Sequence, residues 1–220
     1  GKTKVVAIYS PIGGCGKSLI SIALSRKLKK LDQKVLLAGC DDLQSFSVFF
    51  DQIEYADDEL AKELREVDDN TYWTILRNIG IHEFSYLKPF ERVPHAVGVG
   101  RTQFSSFLDL MKQKKDFDFI ILDIGSRVDE AGVTLMEKAD EIVLVTEPTV
   151  LAMKKMARIA GDQAMLPQKK CVLISDQYHS DGLRYGEDAI FDSLPAYIDW
   201  KEAMEDPMFY RLALSVLEEK

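Results

Sequence analysis

Several runs along the chain are apolar at nearly every position. They are Lys4-Val-Val-Ala-Ile-Tyr9, Lys34-Val-Leu-Leu-Ala38, Asp118-Phe-Ile-Ile-Leu-Asp123, Glu141-Ile-Val-Leu-Val-Thr146 and Cys171-Val-Leu-Ile-Ser175. A strand without polar alternation is buried on both faces, the condition met in a parallel sheet covered by helices on each side. The intervening segments space their apolar residues three and four apart. The alternation of the two patterns predicts an α/β fold: a mostly parallel sheet with helices on both faces, in a single domain over residues 1–220. Cys171–Ser175 reads as the last core strand.

The helical segments follow from the same pattern. Residues 17–31 carry Leu19, Ile20, Ile22, Ala23, Leu24, Leu28 and Leu31 on one broad face, with Arg26, Lys27, Lys29 and Lys30 mostly opposite. Leu60, Leu64 and Val67 predict one amphipathic helix in the acidic stretch 51–70, and Asn70 or Thr71 caps the next, through Trp73, Ile75, Leu76 and Ile79. Ile81–Phe90 reads as a strand and turn. Thr102 caps a helix with Phe104, Phe107, Leu108 and Met111 inward, and Pro148 and Thr149 open another. A final helix over Met208–Lys220 packs on the sheet.

Between the first strand and the first helix stands Ser10-Pro-Ile-Gly-Gly-Cys-Gly-Lys-Ser18. A strand, a glycine-rich turn and a helix opening on Lys-Ser form the context of a phosphate-binding loop. Glycines let successive N–H groups face phosphate oxygens, and the helix offers its positive end. Gly13, Gly14, Cys15, Gly16, Lys17, Ser18 and Leu19 are therefore the nucleotide-binding candidates. Lys17 reaches the terminal phosphates, and the Ser18 hydroxyl is an oxygen ligand for Mg2+. Downstream, Asp123 ends an apolar run in the manner of a Walker B strand and orients the metal's shell, while Gly125 and Ser126 form a loop able to sense the terminal phosphate. Asp41, just past the second strand, is placed to hold the attacking water or a magnesium-bound water.

The glycines depart from G-x-x-x-x-G-K-[ST], since Pro11 stands where the first would be, and match the deviant form K-G-G-x-G-K-[ST]. The loop thus resembles that of the ParA and MinD family of ATPases. In that family the first lysine of the motif crosses a nucleotide-sandwich dimer to the partner's phosphates. Ile12 occupies its position in this chain, so the resemblance implies ATP and Mg2+ binding, a nucleotide-dependent homodimer and slow hydrolysis. The family's D-x-D after the second strand is reduced to Asp41, with Gly39 in the first slot. Its adenine-reading asparagine is replaced by Ser175-Asp176-Gln177, which leaves base recognition to main-chain atoms of Gln177 or of the Leu194–Tyr197 loop. Together with Tyr86-Leu-Lys-Pro-Phe90 and Leu144-Val-Thr-Glu-Pro-Thr149, the motifs look like the ATPase domain of the TadZ or CpaE family. That resemblance implies a cytoplasmic protein acting with pilus assembly or polar localisation proteins. Such proteins carry an N-terminal receiver-like domain, so the chain reads as a fragment that lacks it.

Charge narrows the alternatives. The net charge is −8, and residues 51–70 alone hold nine acids against two bases. Broad nucleic-acid binding depends on Lys and Arg neutralising phosphates, so a ParA-like partition protein on DNA is the weaker reading. A bacterial tyrosine kinase of the same superfamily needs a C-terminal tyrosine cluster, and Tyr178, Tyr185, Tyr197 and Tyr210 are dispersed. Arg127 is a candidate substitute for the missing lysine charge, with an exposed residue the expected state. Cys15, Cys40 and Cys171 have no C-x-x-C spacing and read as free thiols of a reducing cytosol. His82, His95 and His179 show no ligand spacing. No apolar run approaches 18 residues, and the tail ends Glu-Glu-Lys without the basic face of a membrane-surface helix. Direct membrane insertion is not expected.

Overall fold

The computed structural model describes residues 1–10, 16–40, 49–50, 52–92, 94–125, 130–152, 154–155, 169–174, 184–185, 188–195 and 197–218. Its strands are β1 (Lys4–Tyr9), β2 (Val35–Gly39), β3 (Ile79–Ile81), β4 (Ser85–Leu87), β5 (Phe119–Asp123), β6 (Glu141–Thr146), β7 (Lys169–Ile174), β8 (Arg184–Tyr185) and β9 (Asp188–Leu194). They form one sheet in the order β3-β4-β2-β5-β1-β6-β7-β9-β8. From β4 to β9 every neighbouring pair is parallel, and only the outermost partners β3 and β8 run antiparallel. The expected sheet is therefore present, with β1 at its centre.

The two faces are divided by the period-two alternation of strand side chains. Val5, Ala7 and Tyr9 of β1 join one buried cluster with Leu36, Leu122 and Leu144. That cluster is covered by α2 (Asp58–Arg65), α3 (Thr71–Arg77), α4 (Arg101–Lys114) and α5 (Glu130–Lys138). Val6 and Ile8 face the other way, among Ile20, Leu24 and Leu28 of α1 (Lys17–Lys30) and Phe209, Leu212 and Val216 of the C-terminal helix. Helices α6 (Trp200–Ala203) and α7 (Met208–Glu218) complete this second layer. No helix among the described residues is long and apolar enough to cross a membrane.

Local chemistry explains where the elements differ from the pattern. In the acidic stretch α2 spans only Asp58–Arg65. Asp57 caps it by accepting from Leu60 N–H at 3.2 Å. Val67 lies beyond its end, exposed, because Thr71 and Asp68 turn the chain there through Asp68 N–H···Oγ1 of Thr71 at 2.8 Å. Helix α3 stops at Arg77, so Ile79 belongs to β3, and Trp73 points to solvent at 60% exposure. The segment expected as a strand and turn, residues 81–90, is a hairpin that starts two residues earlier. A Cβ on Gly80 would collide with the ring of its cross-strand partner Tyr86, which is why glycine stands there. Gly100, not Thr102, occupies the N-cap of α4; its N–H is bonded by Gln103 Oε1 at 2.8 Å, and Thr102 lies within the helix. Asp118 precedes β5 instead of starting it and accepts from Lys34 N–H at 2.8 Å. Thr149 does cap the helix that opens at Val150, accepting from Ala152 N–H at 3.1 Å. Finally, β7 is not the last core strand, since β9 pairs with it in parallel.

At the N-terminal end of the central strands three charges are buried together. Glu141, the first residue of β6, lies 2.9 Å from Lys4 Nζ and 2.6 Å from Lys170 Nζ. Lys4 also donates to the Val216 carbonyl of α7 at 2.7 Å, joining the sheet to the C-terminal helix.

Candidate functional site

The opposite, C-terminal end of the same strands holds Gly16, Ser18 and Asp123, three of the residues expected to handle a nucleotide. Asp123 ends β5 and is held from both sides by main-chain bonds. Its carbonyl accepts from Cys40 N–H at 2.9 Å, and the next residue, Ile124, donates to the Ile8 carbonyl at 3.0 Å. In register it stands opposite Ile8 of β1 and Gly39 of β2. The carboxylate is thus fixed in the centre of the sheet edge, 2% exposed.

Helix α1 brings its partner. Gly16 takes a left-handed backbone, φ 78° and ψ 11°, the conformation that glycine adopts without steric cost. From there the chain enters α1, and Ile20 N–H closes the first helical bond on the Gly16 carbonyl at 3.0 Å. Ser18, in the first turn, places its hydroxyl 2.8 Å from Asp123 Oδ2. Both residues are buried, so this hydrogen bond to a carboxylate is made in a low-dielectric setting where it is strong.

The helix start is itself suited to an anion. The first N–H groups of a helix have no intrahelical acceptors and carry its positive dipole end. In α1 the N-cap residue offers no side-chain bond to them, and no acid stands in the first turn, whereas Lys27, Lys29 and Lys30 occupy the last. Mg2+ takes oxygen donors. A hydroxyl and a carboxylate 2.8 Å apart at the mouth of an anion-binding helix are the donor types it needs, so Ser18 and Asp123 fit the metal.

Of the sequence-predicted residues, Gly16, Ser18 and Asp123 are brought together, and Leu19 is half-buried in the same first turn. Lys17 opens α1, and its side chain lies outside the described part of the structure. Ile12, Gly13, Gly14, Cys15, Asp41, Ser126, Arg127 and the Ser175–Gln177 segment also lie outside the described residues. Cys40 and Cys171 are both buried.

Sequence reasoning passed over a polar group on the α2–α5 face. Tyr9, the last residue of β1, is fully buried. Burial raises its phenol to about 12, against an opposing pull from the Arg101 guanidinium. A strand-terminal tyrosine reads as core from sequence, and nothing in the pattern places Arg101 within its electrostatic reach. A separate cleft of about 210 Å³ lies between α1, the β3–β4 turn and α6, with Ile22, Arg26, Phe49, His82 and Trp200 among its walls; it includes none of the predicted site residues.

Comparison with known proteins places these features in a family. A protein-family model described as an AAA domain matches residues 3–168. The septum site-determining protein MinD of Bacillus subtilis is 23% identical over 162 residues, covering 72% of this chain and 58% of that protein. The chain therefore spans under two thirds of that relative's length. Among solved structures, a ParA family ATPase from Chlorobium tepidum superposes with a TM-score of 0.74 at 17% identity, covering 99% of this chain and 94% of the other. The septum site-determining protein MinD of Pyrococcus horikoshii, complexed with Mg-ADP, superposes with a TM-score of 0.68 at 17% identity over 99% and 95% of the two chains.

Proposed function

The chain belongs to the AAA domain family that matches residues 3–168 and has the ParA and MinD fold; from that premise we propose that it binds ATP with Mg2+ and dimerises on doing so. The observation that carries this reading is the buried Ser18 hydroxyl at 2.8 Å from the Asp123 carboxylate, beside the helix start opened by Gly16. The Mg-ADP held by the Pyrococcus horikoshii relative supports the same cofactor for this fold.

The division of labour follows from the geometry and the motif. A bound metal would supply positive charge against the phosphates. Ser18 and Asp123 would hold it through the hydroxyl and carboxylate oxygens that are hydrogen-bonded to each other. Gly13, Gly14, Cys15, Gly16, Lys17 and Leu19 cradle the phosphates, and Asp41 positions water. Val150 and Leu151 are exposed just beyond the C-terminal end of β6, on the same edge as Asp123. Apolar side chains there are suited to being covered by a second copy across the nucleotides. Ile12 leaves the dimer without the motif's first lysine, so hydrolysis is slow and the nucleotide acts chiefly as a clamp. The motif set favours a localisation and assembly ATPase of the TadZ or CpaE type, working with tight-adherence pilus machinery in the cytoplasm, recruited to membrane or pole through its partners.

The test is molar mass in solution with Mg2+, with and without ATP, while phosphate release is followed in the same samples. An ATP-dependent doubling of mass with little phosphate released is the expected result. Rapid turnover would overturn the clamp in favour of an active enzyme, and absence of binding at millimolar ATP would overturn the nucleotide reading itself.

A further inference from the structure

Arg26 of α1 is held by acids from two other elements. Its Nε donates to Glu83 Oε2 in the β3–β4 turn. Its Nη1 donates to Glu205 Oε1, just past α6, at 3.2 Å and lies 3.5 Å from Met204 Sδ. Nη2 makes no hydrogen bond among the described residues. The side chain is only 16% exposed and forms part of the wall of the cleft between α1, the β3–β4 turn and α6. A guanidinium pinned in this way is a planar set of donors whose orientation is fixed before any ligand arrives.

The rest of the cleft is mostly apolar and aromatic. Ile22 and Met204 line it, the rings of Phe49 and Trp200 stand perpendicular with centroids 5.2 Å apart, and His82 is stacked on Phe50 at 4.8 Å. Lys201 is exposed, with Nζ 5.6 Å from the Trp200 ring centroid. The charges in the lining balance, Arg26 and Lys201 against Glu83 and Glu205. An incoming anion meets two carboxylates and an incoming cation meets a guanidinium and an ammonium, so a neutral occupant is favoured. The volume of about 210 Å³ is below the roughly 300–1,000 Å³ of pockets that enclose a whole drug-sized ligand. It suits one flat ring system.

We propose that this cleft binds a guanine base, with the sugar that carries it lying outside. The O6 and N7 acceptors on one edge of guanine take the N–H groups at the Nη2 end of Arg26, the pairing by which arginine reads guanine elsewhere. The neighbouring N1–H and amino group donate to Glu83 or Glu205, each of which gives one oxygen to Arg26 and keeps a second as acceptor. The ring lies against the aromatic wall, a contact open to any base, so discrimination falls to Arg26. Adenine carries an amino group where guanine has O6 and would turn a donor on the guanidinium. None of the residues assigned to phosphate or metal lines this cleft, so the inference does not depend on the ATP reading.

The chain has two tryptophans, and Trp73 is 60% exposed on α3, so Trp73→Phe leaves Trp200 as a fluorescent reporter inside the cleft. In that chain Trp200 emission is titrated with guanosine, GMP and adenosine, each with and without saturating Mg-ADP. Guanosine is expected to quench it saturably whether or not Mg-ADP is present, and adenosine to bind about tenfold more weakly, within the range for one bidentate arginine contact. Arg26→Lys keeps the charge between the two acids and removes the fork. It should weaken guanosine about tenfold and leave adenosine unchanged, with melting temperature confirming that the variant is folded. If that variant does not fold, the comparison of guanosine with adenosine on the intact cleft decides by itself. GMP binding more tightly than guanosine supports the proposal with a nucleotide as the source of the base, and weaker binding supports it with a nucleoside. Absence of saturable quenching at millimolar guanosine would overturn the proposal. So would equal affinity for adenosine, or a folded Arg26→Lys chain that binds guanosine as the parent does. Quenching abolished by Mg-ADP would assign guanosine to the phosphate site and overturn it as well.

Discussion

Two buried carboxylates flank the central strand, one at each end of the sheet, and their company differs. Glu141 begins β6 and sits between Lys4 and Lys170, with ammonium groups at 2.9 and 2.6 Å. Asp123 ends β5 and takes a serine hydroxyl at 2.8 Å. Glu141 is 1% exposed and Asp123 2%, so burial does not distinguish them. The difference lies in the partners. The first cluster carries its own counter-charges and ties β1, β6 and β7 to one another and to α7. Among the described residues the second pairs an anion with a neutral hydroxyl, an oxygen donor of the type a metal takes, at the edge where α1 starts. A buried acid between lysines of its own sheet is a fastening; one facing a hydroxyl at the start of α1 has the donor types for the cation proposed above.

The largest effect that should separate the two is on stability. Glu141→Gln leaves two lysines buried beside a neutral amide. Breaking a buried pair in this way costs about 3–5 kcal/mol, to be read by denaturant unfolding, and nucleotide affinity should survive under conditions where the variant is folded. If Glu141→Gln were as stable as the parent, the fastening would be no different from the site. Asp123→Asn comes next and reverses the pattern. Its unfolding midpoint should move little, while the Mg2+-dependent part of nucleotide affinity falls about 10- to 100-fold, as when a group orienting a metal's shell is lost. Retained Mg2+ dependence in a nucleotide titration would remove Asp123 from the metal site.

The smallest effect concerns the tyrosine that ends β1, at the Asp123 end of the sheet. Its phenol is raised from 10 to about 12, so the folded state holds the proton more tightly than the unfolded one. The resulting stabilisation is complete below about pH 10 and drains away as pH rises towards 12. Compared with Tyr9→Phe, the parent should lose stability over that alkaline interval and run parallel to it from pH 7 to 9. Parallel curves throughout would show the phenol to be solvated.

The central strands were legible because burial on both faces leaves no room for polar residues: β1, β2, β5 and β6 appear as near-continuous apolar runs. Strand β9 was not, since Asp188-Ala-Ile-Phe-Asp-Ser-Leu194 mixes polar and apolar positions without strict alternation. The three-residue strands β3 and β4 are too short to show a period. Val67 has the spacing to extend α2, but the Asp68–Thr71 turn ends the helix before that spacing counts. That Gly16, Ser18 and Asp123 belong together was legible because a glycine-rich turn opening a helix and an apolar run ending in an acid are both plain patterns in the sequence. The buried pair of Tyr9 and Arg101 was not, because a tyrosine closing a strand reads as ordinary core and the charge that acts on it comes from a distant helix.

The sheet's borders bear on how copies of the chain meet. Among the described residues its outermost strands are Ile79–Ile81 on one side and Arg184–Tyr185 on the other, three and two residues long. Long unpaired edges invite strand-by-strand annealing into ribbons and fibrils, and short ones are a common defence. Two or three residues give a neighbouring chain little main chain to zip onto. The proposed pairing, if it avoids the borders, would form a closed pair, where edge-on growth would have no natural end.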